Sequence, residues 1–298
     1  MKKEYNYAIK SKLNTIEELV QIMKLNFKLI LPFLYLILGL IPLNADLIRI
    51  MPLGDSITYD DRHSDHEGIK RPSSVRTGYR SHLHYQLADA GYPVDFVGSR
   101  VAGEAIVPAF DPHNEGHPGW ESYEIADNVY RYLSINPADI ILLHIGTNDY
   151  DVSVAGVNDI LDEVDLYEEL TGRFVRVIVA LIIDKKDQDD IVMAGFNHNL
   201  NNLLQKRILN GDAISIVDMY RGAGMTSDDY ADNTHPTDAG YQKIANVWFN
   251  ALMEPYNVAL HKFPYSLVPR SHIRSISVDE TANQVVFITD VPNNGITF

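Results

Sequence analysis

The sequence contains no cysteine. Disulfide bonds, cysteine nucleophiles and thiolate zinc sites are therefore all excluded. Positive charge is also scarce, because 25 lysine and arginine residues stand against 40 aspartate and glutamate residues, which gives a formal net charge of -15. This balance argues against binding to nucleic acid or to an anionic membrane surface and disfavours a polyanionic substrate. Other signatures are missing too: there is no Gly-x-Ser-x-Gly elbow, no His-Glu-x-x-His and no P-loop.

The clearest long apolar run, residues 29–43, lies near the N-terminus and follows two lysines. A run of this length is marginal for a transmembrane helix and is typical of the apolar region of a secretory signal. A start at Met23 would give an ordinary signal peptide ending at Ala45, with residues 1–22 as a misassigned start or a cytoplasmic stub. We therefore predict secretion to the extracellular space. Two alternatives stay open: an uncleaved membrane anchor through residues 27–43, or a buried helix.

Hydrophobic patterning predicts alternating buried strands and helices. Apolar runs bounded by glycine, proline and charged residues indicate five short strands, at residues 47–53, 93–98, 138–145, 173–183 and 213–217. Helical patterns with start and stop signals fall between and after them, at residues 78–91, 122–133, 152–170, 194–209 and 237–253. This alternation predicts an α/β fold, a flavodoxin-like three-layer α/β/α sandwich with a five-stranded parallel sheet.

The alternation of strands and helices ends before the C-terminus, which predicts three parts. These are an N-terminal extension carrying the signal peptide or anchor (1–45), a main domain (46–256) and a β-rich C-terminal extension (257–298). Within the last part, residues 275–279 and 284–289 predict a β-hairpin. This extension is either an addition to the edge of the main domain or the beginning of a second module, and the sequence leaves both open.

Chemistry-bearing residues follow four of the five predicted strands. Ser56 follows the first strand, Gly119 the second and Asn148 the third, while Asp232 and His235 follow the fifth. Carboxyl ends of parallel strands meet at one edge of a sheet, so one crevice is expected to collect them.

These residue types fit acyl transfer. Ser56 is a candidate nucleophile, His235 its base and Asp232 the group that orients the imidazole. The N–H groups of Ser56 and Gly119 and the amide of Asn148 are candidate donors to an oxyanion. Each residue alone also has a structural interpretation, as a helix cap or a half-buried histidine. Their joint occurrence at successive strand ends is what favours catalysis.

Two aromatic residues and a charged stretch lie close to these positions in sequence. Tyr59 and Trp120 are candidate stacking partners for a sugar ring, with a place in the core as the alternative. Residues 59–77 are too polar for a buried element and predict a solvated loop. His63 and His66 lie in this loop near several carboxylates, but their spacing matches no recognisable ligand set, so no metal is predicted.

The segments around these positions resemble the SGNH hydrolase superfamily, also called GDSL-like esterases. Four blocks occur in order, namely Gly54-Asp55-Ser56-Ile57, the Gly119 turn, Gly146-Thr147-Asn148-Asp149 and Asp232-Asn233-Thr234-His235. Within the superfamily the chain is most similar to the carbohydrate esterase family three type, through the segments 51–58, 77–80, 94–99, 115–120 and 232–241. One departure is Asp60, at a position that is usually glycine.

The resemblance implies that Ser56, His235 and Asp232 form the catalytic triad, with Ser56, Gly119 and Asn148 as the oxyanion hole. It implies cofactor-free deacetylation of plant-wall polysaccharide, chiefly xylan, so the expected partner is an acetylated polysaccharide or a small acyl ester, and not nucleic acid. Two other functions stay open: an esterase or lysophospholipase acting on lipid or small acyl esters, and a non-catalytic carbohydrate-binding module on the same fold.

Overall fold

The computed structural model describes residues 47–67, 70–186 and 190–254 with their side chains, and the backbone of two further strands, Ile273–Asp279 and Gln284–Thr289. The predicted signal peptide or anchor lies outside the described residues. Among the helices that are described, none is long and apolar enough to span a bilayer.

The main sheet has seven strands within the described part of the chain. They are β1 Ile48–Gly54, β2 Val94–Phe96, β3 Arg100–Val101, β4 His113–Gly116, β5 Ile140–His144, β6 Arg176–Leu181 and β7 Ile214–Asp218. On one side, β1 pairs with β2 along its first residues and with β4 at its end, and on the other side it pairs with β5, which is followed by β6 and β7. These pairs are parallel, whereas β3 runs antiparallel to β4. The order β2-β1-β5-β6-β7 confirms the predicted flavodoxin-like winding.

The predicted count of five strands is wrong, because the sheet also contains β3 and β4, which lie between the second predicted strand and the helix predicted at residues 122–133. Strand β4 is a polar tetrapeptide without the apolar run that signals a buried strand. Its Glu115 is nevertheless fully buried, because it accepts the N–H and Oγ–H of Ser99 and contacts the ring of His117. A buried carboxylate needs such partners. Ser99 lies 16 positions away in the sequence, so local patterning does not reveal that contact.

Six helices are described around the sheet: α1 Ser56–Tyr59, α2 Tyr79–Asp89, α3 Ser122–Ile135, α4 Ala155–Thr171, α5 Ile191–Leu209 and α6 Asp238–Met253. Helices α3, α4 and α5 cover one face, and α2 and α6 cover the other. Along β1, Met51 and Leu53 pack into the first layer and Ile50 into the second, as alternation along a strand requires. The predicted three-layer sandwich is confirmed, and the five long helices match the predicted segments to within a few residues.

The C-terminal strands β8, Ile273–Asp279, and β9, Gln284–Thr289, pair antiparallel with Asp279 opposite Gln284. The predicted hairpin is therefore confirmed at the level of the backbone.

The topology gathers the loops that follow the parallel strands at one edge of the sheet. Neighbouring strands in a sheet lie about 4.8 Å apart. The turns that follow β1 and its neighbours β4 and β5 are therefore close enough to build one site.

Candidate active site

The turn at the end of β1 presents Ser56. A Cβ atom on Gly54 would lie 2.1 Å from the carbonyl oxygen of His144 on β5, so a larger residue would force the two strands apart. Asp55 then caps α1, since its carboxylate accepts the N–H of Ile57 at 2.9 Å. Burial raises the pKa of the Asp55 carboxyl to about 7. Ser56 is thereby held as the first residue of α1, with 6% of its surface exposed.

A continuous chain of hydrogen bonds joins Ser56, His235 and Asp232. Ser56 Oγ and His235 Nε2 are 2.9 Å apart, and His235 Nδ1 lies 3.0 and 2.9 Å from the two carboxylate oxygens of Asp232. When Nδ1 donates its proton to Asp232, Nε2 is left to accept the proton of the Ser56 hydroxyl. The structure thus brings together two residues that are 179 positions apart in the sequence, Ser56 and His235.

Backbone N–H groups hold Asp232 as an ionised partner. Its carboxylate accepts the N–H groups of Thr234 at 2.9 Å, His235 at 2.7 Å and His63 at 3.1 Å. Burial by itself would raise the pKa of Asp232, but the hydrogen bonds from the His235 and Thr234 backbones and from the His235 ring lower it to about 2. The carboxylate is therefore charged at neutral pH and is positioned to stabilise an imidazolium if one forms on His235.

The loop carrying His235 is closed by its own backbone. Ala231 donates its N–H to the carbonyl of His235 at 2.8 Å, and Tyr230 forms an isolated β-bridge with Pro236. The side chain of Thr237 then caps α6 by accepting the N–H of Gly240 at 3.3 Å. The imidazole is therefore fixed at the start of a long helix and does not lie on a free loop.

The two further candidate oxyanion donors lie on adjoining turns. Gly119 is exposed and has a φ of +82°, a backbone conformation that residues other than glycine rarely adopt. The constraint is conformational and not steric, because a Cβ atom there would meet no atom within 4 Å. Asn148 donates one amide hydrogen to the carbonyl of Trp120 at 2.9 Å, which ties the turn after β5 to the Gly119 turn. An amide carries two hydrogens, so one is left for a ligand. The next residue, Asp149, accepts the N–H of Ser122 at 2.8 Å and holds this turn against the start of α3.

The two aromatic residues predicted to stack on a sugar lie elsewhere in the fold. Tyr59 is 8% exposed, and the guanidinium of Arg100 lies 4.5 Å from its ring centroid, so its ring is not available to a ligand and that prediction is corrected. The ring of Trp120 is partly buried and stacks on His117 with centroids 4.2 Å apart. A sugar-binding role for Trp120 stays a prediction.

The charged stretch after α1 is not the solvated loop that its polarity predicted. Asp60 and Asp65 are 3% and 2% exposed, and both accept hydrogen bonds from Arg71 at 3.0 and 2.7 Å. Asp61 is also buried and pairs with Arg76. Asp60 has a φ of +69°, which explains why glycine is usual there, and aspartate is one of the few other residues that tolerate this conformation. The loop is thus folded around internal ion pairs.

Sequence reasoning missed an exposed aromatic residue beside the site. Tyr150, two positions after Asn148, is 74% exposed and has a φ of +56°. It lines a cavity of about 60 Å³ between the turn after β5 and the start of α5. Lys185, which pairs with Asp190 at 2.6 Å, has its Nζ 5.8 Å from the Tyr150 ring centroid. The signal for Tyr150 was its place in the loop that follows β5, since binding residues concentrate in loops.

No known protein-family model matches the chain. A curated relative, the "Multidomain esterase" of Ruminococcus flavefaciens, is 28% identical over 244 residues, which cover 70% of this chain and 29% of that protein. This chain therefore matches less than a third of the length of that relative. Among solved structures, a Clostridium thermocellum family 3 carbohydrate esterase is 27% identical, covers 69% of this chain and 94% of its own, and superposes with a TM-score of 0.57. A mutant acetyl esterase with an acetate ion is 28% identical, covers 70% of this chain and 97% of its own, and also has a TM-score of 0.57.

These comparisons confirm the resemblance to the family 3 carbohydrate esterases. They also confirm the predicted α/β fold of the SGNH hydrolases. They also support a carboxylic ester hydrolase as the class of enzyme to which the described domain corresponds.

Proposed function

We propose that this chain, which resembles the family 3 carbohydrate esterases, is a secreted serine esterase that removes acetyl groups from a neutral polysaccharide such as xylan. The observation that carries the proposal is the unbroken hydrogen-bond chain from Ser56 through His235 to Asp232. An acetyl group is favoured because one similar structure is an acetyl esterase with an acetate ion. Secretion rests on the signal-like pattern before residue 46.

In the proposed reaction, Ser56 Oγ attacks the ester carbonyl while His235 Nε2 takes its proton. Asp232 stabilises the imidazolium and keeps the ring in the tautomer that the first step needs. The oxyanion of the tetrahedral intermediate accepts hydrogen bonds from the N–H groups of Ser56 and Gly119 and from the second amide hydrogen of Asn148. One such donor typically contributes about 2.7–4 kcal/mol to transition-state stabilisation. As the ester C–O bond breaks, His235 gives the proton to the leaving sugar oxygen, which departs as a hydroxyl group and leaves the acetyl group on Ser56. Water, activated by His235, then hydrolyses this acetyl-enzyme.

A neutral carbohydrate fits the charge and the surface near the site. The formal net charge of -15 disfavours polyanionic polysaccharides, whereas a neutral chain carries no such penalty. Tyr150 offers an exposed ring near the proposed oxyanion hole, and tyrosine combines an apolar face with a polar end. We therefore place the sugar backbone along the carboxyl edge of the sheet, from Ser56 at β1 towards Tyr150 beyond β5.

The proposal is tested by measuring acetate released from acetylated xylan and hydrolysis of aryl esters of increasing acyl length. The matched variants are Ser56→Ala and Ser134→Ala, the latter removing an exposed hydroxyl on α3 that donates to the Tyr130 carbonyl of its own helix. We expect acetate release and aryl acetate hydrolysis to disappear in Ser56→Ala and to persist in Ser134→Ala.

Other outcomes would change the assignment. Rates that rise with acyl length, without acetate release from xylan, would move the substrate to lipid or small acyl esters while keeping the mechanism. Binding to the polysaccharide with no hydrolysis of any ester would favour a non-catalytic binding module and refute the esterase proposal.

A further inference from the structure

The loop after α1 brings a second histidine to the proposed catalytic residues. The rings of His63 and His235 meet edge to face with centroids 5.2 Å apart, and the backbone N–H of His63 donates to Asp232 at 3.1 Å. One potential ligand atom from each of His63, Asp232 and His235 lies within 4.8 Å of the other two. The mechanism proposed above uses Asp232 and His235 but has no role for the imidazole of His63.

We propose that His63, Asp232 and His235 form a site for a divalent transition-metal ion of the Zn²⁺ type, and that an ion bound there switches the esterase off. Two imidazoles and one carboxylate are ligands that Zn²⁺ prefers, and three protein ligands leave the fourth position of a tetrahedron to water. Ca²⁺ and Mg²⁺ require sets of oxygen ligands, which this cluster does not supply. The inhibitory half of the inference rests on the proposed esterase function, whereas the metal site itself does not.

The third ligand, His63, is held in place by a turn that the ion pairs of Arg71 with Asp60 and Asp65 support. His63 opens a short 3-10 turn that ends at Asp65, and the Asp65 carboxylate accepts the N–H of Arg62 at 3.0 Å, which closes the turn. Arg71 clamps Asp65 to Asp60 in the buried network. The His63 residue is exposed, so an ion has access from solvent without unfolding the loop. A site that is already assembled loses less entropy when its ligand binds.

Inhibition follows whichever ring nitrogen of His235 the ion takes. If it binds Nε2, it occupies the lone pair that would accept the Ser56 proton. If it binds Nδ1, the remaining proton of the neutral ring must be on Nε2, which again cannot accept from Ser56. In both cases Asp232 coordinates the ion in place of orienting the base. His63 is not required for the acyl transfer itself but completes the site that stops it.

The test is isothermal titration of the purified, metal-free protein with ZnCl₂, in parallel with aryl acetate hydrolysis at each zinc concentration. The variants are His63→Gln, which keeps the backbone N–H to Asp232, and His113→Gln as the matched control. His113 is a half-exposed histidine that contacts a single carboxylate, Asp111, at 2.8 Å, and among the described residues it belongs to no group of three possible metal ligands. Inhibition is normalised to the metal-free rate of each variant, and MgCl₂ and CaCl₂ serve as comparison ions.

We expect one zinc-binding event to weaken by at least about tenfold in His63→Gln, since even changes outside the ligand shell typically reduce metal affinity by 10- to 100-fold. The same event is expected to persist in His113→Gln and to be lost in His235→Gln. Zinc inhibition of the wild type should be reversed by EDTA, should weaken in parallel in His63→Gln, and should not be reproduced by MgCl₂ or CaCl₂.

The two proposals fail in different ways. Metal-free esterase activity combined with equal zinc affinity in wild type and His63→Gln would overturn the metal site and leave the proposed function standing. Zinc binding that depends on His63 in a protein that hydrolyses no ester would support the site and refute the proposed function. Zinc binding that depends on His63 but leaves hydrolysis unchanged would overturn the inhibitory switch.

Discussion

Asp55 is buried beside the nucleophile and should make the protein lose stability as pH rises. The carboxyl is fully buried and accepts the Ile57 N–H at one oxygen. Burial is the largest influence on its pKa and raises it from 3.8 to about 7, against the opposing effect of the Ile57 hydrogen bond. The informative change is Asp55→Asn, which keeps an acceptor for Ile57 and removes the ionisable group.

The direction and size of the effect follow from proton linkage. Between pH 3.8 and pH 7 the unfolded chain has released the Asp55 proton while the folded protein retains it, so the free energy of unfolding falls with rising pH. The stability that the protonated Asp55 contributes is fully present below pH 3.8, its pKa in the unfolded chain. This contribution is lost as the pH rises through about 7, its pKa in the folded protein. A shift of this size corresponds to at most about 4 kcal/mol, because one pKa unit is worth about 1.36 kcal/mol.

The assay is chemical denaturation of wild type and Asp55→Asn at several pH values from 4 to 8.5, followed by tryptophan fluorescence from the buried Trp248. Subtracting the two unfolding free energies at each pH largely cancels the groups that the proteins share. We expect the wild type to lose stability relative to the variant by a few kcal/mol between pH 4 and 7, with little further change above pH 7. Parallel pH profiles, or a wild type that gains relative stability with rising pH, would refute the reasoning.

Three further changes test the site and its surroundings. Asn148→Ala should lower kcat for aryl acetate about 10²- to 10³-fold with little change in KM, because an oxyanion donor acts in the transition state, and an unchanged kcat would remove it from that role. Tyr150→Ala should raise KM for acetylated xylan but not for aryl acetate, whereas the same change at Tyr123, an exposed tyrosine on α3, should do neither. Arg71→Ala leaves two buried carboxylates without their shared partner and should reduce the free energy of unfolding by roughly 2 kcal/mol, below the usual 3–5 kcal/mol for a buried pair because the Arg71 side chain is 30% exposed. Equal denaturation midpoints for Arg71→Ala and wild type would show that solvent screens these pairs.

The layered α/β architecture and the candidate catalytic residues could be predicted from the amino-acid sequence alone. Strands such as β1 and β5 are buried on both faces, so they appear as unbroken apolar runs, and the amphipathic helices follow from their spacing. Ser56, Asn148 and His235 were identifiable because each belongs to a short local block directly after a strand or before a helix. The topology then required these blocks to meet at one edge.

Which polar residues are buried, and which residues distant in sequence are in contact, became visible only in the folded structure. Glu115, Asp60 and Asp65 appear as surface residues in the sequence, but hydrogen bonds and arginine partners make their burial favourable. Tyr59 faces inward for a related reason, since Arg100 lies against its ring. The proximity of His63 to Asp232 was not recognisable from the sequence, because Asp232, to which the His63 backbone donates, is 169 positions away. Patterns along the chain record local periodicity, whereas the pairing of buried charges and ligands depends on which loops the fold places side by side.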